Sequence, residues 1–154
     1  MTGHSFPRIL FAVLLTVAFV AAVAAPAASS PWTGTWRIAA QKSAVPFYGG
    51  NTFTLVQKGT AVTGRFTWEL TSDKGFGGGF CHTGKGGTIK GTARGRKLTA
   101  TMIWPARDGY ARATAPFQAT LSANGKTIDV RAHVTSGECA SFGVYPVFKA
   151  TLVK

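Results

Sequence analysis

Two features of this chain have residue types and spacing that bear on chemistry. One is the stretch Gly79-Phe80-Cys81-His82-Thr83-Gly84-Lys85-Gly86, and the other is the pairing of His82 with Glu138. The first has the G-x4-G-K spacing of a phosphate-cradling loop. There, backbone N–H groups surround the phosphates, and a Ser or Thr after the Lys holds Mg²⁺. Gly86 occupies the position of that hydroxyl. The flanking segments alternate like strands, whereas a phosphate loop joins a strand to a helix. A Gly-rich connection or lid is expected here rather than a nucleotide site.

General acid–base chemistry needs a proton donor and acceptor held within hydrogen-bond reach. The acids outside the first 30 residues are Glu69, Asp73, Asp108, Asp129 and Glu138, scattered singly, so His82 with Glu138 is the best pair available. No nucleophile elbow is present. Zinc asks for three or four spaced ligands, and beyond Cys81, His82 and Glu138 the only other histidines are His4 and His133. The expectation is a protein that is not an enzyme, with no catalytic residues, no metal and no cofactor.

The elements that must position these residues begin after a leader. His4 and Arg8 precede an apolar run from Ile9 to Ala25, and small residues follow at A-x-A spacing. This is the pattern of a cleavable signal peptide, taken as residues 1–28, and it implies a secreted or periplasmic protein with no membrane span after cleavage. Residues 29–154 then form one domain. In an exported chain, Cys81 and Cys139 most simply make one disulfide. The net charge is +12, and it falls to +11 when Arg8 leaves with the leader. Such an excess favours anionic partners or surfaces without specifying a fold.

From Trp32 onward the chain alternates with period two. Phe53 to Trp68 reads as a hairpin around Lys58-Gly59-Thr60-Ala61. Further strands are expected at Trp32–Ile38, Thr88–Arg94, Lys97–Trp104, Ala113–Leu121, Thr127–Val134 and Val147–Val153. No segment carries a helical period. Eight successive strands joined as hairpins predict an all-β fold, an antiparallel up-and-down barrel, with a two-sheet sandwich as the alternative. Pro116 lies inside one strand and donates no ladder bond, so a bulge or break is expected there.

Connections around Gly59, Gly95 and Gly125 are short, and the other four are long. In an up-and-down barrel alternate connections share an end, so all four long ones should gather at one end. That places the Cys81 and Cys139 loops together. It also places Phe53, Trp68, Met102, Trp104 and Phe148 inward near the long loops, with Arg107, Tyr110 and Arg112 at the rim. Large aromatics beside Ala113, Ala115 and Gly91 would wall a small cavity, because eight strands either fill completely or hold one small ligand. Basic residues at the tight turns, Lys58, Arg94, Arg96, Lys97 and Lys126, would suit an anionic surface. No aromatic residues interleave with them, so sequence-specific nucleic-acid binding is not expected.

Gly34-Thr35-Trp36 at the head of such a barrel resembles the G-x-W opening of lipocalins and avidins. Thr33-Gly34-Thr35-Trp36, the V-T-G-x-F run at Phe66 and the late Trp104 are similar to avidins in particular. The resemblance implies a calyx-like fold with the first Trp closing the narrow end. Arg37-Ile38-Ala39-Ala40-Gln41 stands where avidins carry the polar segment for biotin, and Trp104 is the last Trp, so biotin binding is not implied. The expected function is binding of an apolar or aromatic, possibly anionic small molecule at the long-loop end. The alternative is a secreted interaction protein with a filled barrel. The bacterial metalloprotease inhibitors are similar in their G-x-W start and single disulfide.

Overall fold

Inward apolar and outward polar residues alternate along eight runs, and each run pairs with the next so that the apolar face closes on itself. The computed structural model describes residues 30–41, 47–48, 50–72, 81–107, 109–143 and 145–153, and the leader lies outside them. The strands are β1 (Gly34–Gln41), β2 (Phe47–Tyr48), β3 (Thr52–Lys58), β4 (Ala61–Phe66), β5 (Glu69–Ser72), β6 (Cys81–His82), β7 (Gly87–Arg94), β8 (Lys97–Trp104), β9 (Ala113–Leu121), β10 (Thr127–Ala132) and β11 (Val147–Val153). Eight of them, β1, β3, β4, β7, β8, β9, β10 and β11, form a closed barrel in chain order, sealed where β1 pairs with both β3 and β11. Every neighbouring pair is antiparallel. The barrel expected from the alternation is therefore present, and the sandwich is not.

The long connections hold structure that alternation alone does not announce. β2, from the first connection, pairs with β5, and β5 pairs with β6, both from the third. These three short strands make a second small sheet where plain loops were expected. β1 also runs on to Gln41, with a register shift between Ile38 and Ala40. A bulge of this kind bends a strand and increases its twist.

Pro116 is accommodated without disturbing the β8–β9 ladder, where Thr101 faces Pro116 in continuous register. The break falls on the other side. The β9–β10 ladder ends at Ala132 opposite Phe117, and the Pro116 carbonyl accepts from the His133 N–H at 3.0 Å. In an antiparallel strand a residue's N–H and C=O face the same neighbour. The missing donor thus faces β10 just beyond its last paired residue.

Tight turns close one end. Gly59, Gly95 and Gly125 take φ of 60°, 58° and 69°, which glycine adopts without steric cost. The Trp32 indole donates to the Gly95 carbonyl and the Trp36 indole to the Trp32 carbonyl, each at 3.1 Å. Both tryptophans are fully buried, so they close this end as the G-x-W resemblance implies.

Candidate functional site

The described parts of the long connections meet at the opposite end. In the third, the Leu70 N–H donates to Thr83 Oγ1 at 2.9 Å, the Thr83 N–H returns to the Leu70 carbonyl, and the Gly86 N–H reaches the Trp68 carbonyl. The stretch from Thr83 to Gly86 is thereby bonded back onto the segment after β4. His82, in the third connection, stands 5.8 Å from the Tyr110 ring of the fifth. The backbone N–H of His82 donates to Glu138 Oε2 at 3.2 Å, tying the third connection to the 3-10 turn Glu138–Ala140 of the seventh. His82 and Glu138 do come together, but through the backbone of His82 rather than its imidazole.

Cys139, in that turn, is completely buried and is not a free thiol. β6 carries Cys81, whose side chain lies outside the described residues. The Gly79 to Lys85 loop is described only from Cys81, and it joins strands on both sides. Among the described residues, no group of three or more metal-ligating side chains gathers.

The interior answers whether the barrel is hollow. Trp68 stacks on Phe66 at 4.3 Å, and Trp104 meets Phe66 edge-on at 5.0 Å and Trp68 at 5.7 Å. Phe148 touches Trp68 at 6.5 Å and Phe53 at 6.2 Å, both near perpendicular. These are favourable aromatic geometries. They link Phe53, Trp68, Trp104 and Phe148 into one buried chain, with Met102 also buried. The space left among Phe53, Leu55, Trp68, Met102, Phe117 and Phe148 is about 10 Å³. A single water needs roughly 10–15 Å³.

Two of the small residues expected to border a cavity, Gly91 and Ala113, are crowded by neighbours. A Cβ at Gly91 would lie 2.2 Å from the Ala100 Cβ, and one at Gly64 would lie 2.8 Å from Leu55 Cδ2. At the long-loop end, Gly137 of the seventh connection packs on Ala113, where a Cβ would be 2.7 Å from the Ala113 Cβ. Ala113 thus lies against the loop backbone at Gly137. The five apolar residues expected at the site are brought together in the buried core.

The three polar ones lie outside. Arg107 and Arg112 are exposed and Tyr110 is half-buried. Arg107 and Tyr110 exchange backbone hydrogen bonds at 3.2 and 2.9 Å, which fixes the tip of the fifth connection. Among the described residues, Trp104 Nε1 is buried without an acceptor. Such an orphan donor is uncommon in a packed interior.

The larger openings are on the outer surface. One, of about 500 Å³, is bordered by Arg65, Lys85 and Arg107, with Ile103 and Pro105 between them. Another, of about 590 Å³, lies at the tight end beside Pro31, Arg94 and Arg96. Sequence reasoning sorted residues by whether they face inward, so it passed over Arg65, Lys85 and Ile103. The outward alternation of Arg65 and Ile103 was the signal available. No protein-family model and no curated protein matches this chain.

Proposed function

We propose that this chain is a secreted, non-enzymatic interaction protein that meets a partner through its outer surface instead of enclosing a small molecule. The observation that carries the reading is the interior of about 10 Å³. A drug-sized ligand occupies a pocket of roughly 300 Å³ or more. An apolar ligand walled by Phe53, Trp68, Met102, Trp104 and Phe148 would have to displace side chains packed against one another. The charge of +12 supports an anionic partner or surface, since a strong excess of one sign speeds encounter with the other. Export is supported by the leader pattern alone. A protease inhibitor is one form such a protein could take, as the resemblance to the metalloprotease inhibitors suggests.

The test is titration of the leader-free protein with a panel of apolar and aromatic small molecules, following tryptophan emission and the thermal midpoint. Neither should change. A saturable emission shift that Trp68→Phe abolishes would restore the enclosed-ligand reading.

A further inference from the structure

The groove on the outer face of β4, β7 and β8 has a composition that points to one kind of occupant. Arg65 comes from β4, Lys85 from the segment before β7, and Arg107 from the fifth connection. All three are exposed, and among the described residues none makes an ion pair or a side-chain hydrogen bond, whereas Lys149 is paired with Asp129. No acid among the described residues borders the groove. Between the cations the floor is apolar, formed chiefly by half-buried Ile103 and exposed Pro105.

Gly84 shapes one side of this groove. A Cβ at Gly84 would lie 2.9 Å from Arg107 Cγ and 3.2 Å from the Pro105 carbonyl. The stem of Arg107 therefore rests on bare backbone. Its own backbone is held by the reciprocal bonds to Tyr110. A guanidinium whose stem is already ordered loses less entropy when it binds.

We propose that this groove docks an acidic peptide segment of a protein partner. Its carboxylates would meet Arg107, Lys85 and Arg65, and an apolar side chain between them would cover Ile103 and Pro105. Arginine suits carboxylates through paired, charge-assisted hydrogen bonds. An anionic polysaccharide would satisfy the cations but has nothing to lay on an apolar floor. A single-stranded nucleic acid would need an exposed aromatic face, and Phe66 is only 4% exposed. The inference rests on reading the barrel as an interaction protein.

The test uses fluorescence anisotropy with the leader-free protein and a short labelled peptide alternating Glu or Asp with Leu. Comparison probes are its Gln/Asn counterpart, its Leu-to-Ser counterpart, a sulfated oligosaccharide and oligo-dT. Arg107→Ala and Lys85→Ala are each expected to weaken the acidic peptide about five- to tenfold. Arg94→Ala and Lys97→Ala, equal in charge but at the opposite end, should change it less than about twofold. Ile103→Thr should weaken the Leu-containing peptide and leave the Leu-to-Ser peptide unaffected. Circular dichroism and thermal midpoints verify that each variant is folded.

Several outcomes would overturn the assignment. Undetectable peptide binding or equal weakening by Arg94→Ala would remove the groove. Tighter binding of the oligosaccharide or of oligo-dT through the same three cations would replace the peptide with that polymer. Binding that depends on Arg94 and Lys97 would sink the groove and leave the interaction reading standing. That reading fails separately, through the emission titration with apolar compounds.

Discussion

Gly91 shows at the scale of one residue how this barrel comes to be filled. Its position faces inward between Ile89 and Ala93, where alternation expects a side chain. The room that its missing Cβ leaves is taken by Ala100 directly across the ladder. Gly64 and Leu55 repeat the arrangement, a small residue admitting a larger neighbour. A Cβ at Gly91 would also meet the Thr99 carbonyl at 2.4 Å and the Ala100 Cα at 2.6 Å, so backbone crowding adds to the filling. Against a filled interior Gly91→Val should cost about 1–3 kcal/mol, the usual penalty for overpacking. Urea unfolding followed by tryptophan emission measures this, and an unchanged midpoint would mean the interior has slack.

Among the elements, the connections carry what is individual to this protein. Their grouping at one end was legible from loop lengths, because an up-and-down order forces alternate links to the same side. That Cys81 and Cys139 lie in connections sharing that end followed from the same parity, and the His82 N–H to Glu138 contact brings their segments together. The small sheet of β2, β5 and β6 was not legible. Its strands are two to four residues long, too short for a period to register, and their pairing joins segments separated by a whole hairpin.

We propose that Cys81 is the partner of Cys139. Digestion without reduction should then release a peptide linking the two, and free thiols at both positions would refute the staple. Through lost chain entropy in the unfolded state, closing a loop of this length contributes about 4 kcal/mol. Reduction should accordingly lower the thermal midpoint and loosen the long-loop end first.

For the molecule as a whole, the leader and the charge make a joint expectation. The exported form should begin between Ala25 and Ser29, which an intact mass would establish, and a retained leader would mean an anchored protein instead. Removal changes the charge only from +12 to +11. The exported barrel would therefore remain strongly cationic, and its association with any acidic partner should weaken steadily with added salt.

The number and order of the barrel strands and the two distinct ends were legible in the sequence, because alternation and loop length are local properties that each segment carries with it. The tryptophans sorted correctly for the same reason, with Trp32 and Trp36 at the tight end and Trp68 and Trp104 under the long loops. Whether Gly91, Ala113 and Ala115 border a cavity is a different kind of question. It depends on what Ala100, Gly137 and the aromatic chain from Phe53 to Trp104 occupy, and those neighbours come from distant parts of the chain. Packing volume is a sum over non-local contacts, so only the tertiary structure decided that the barrel is filled. The same holds for the groove, where Arg65, Lys85 and Arg107 become neighbours only once β4, β7 and β8 lie side by side.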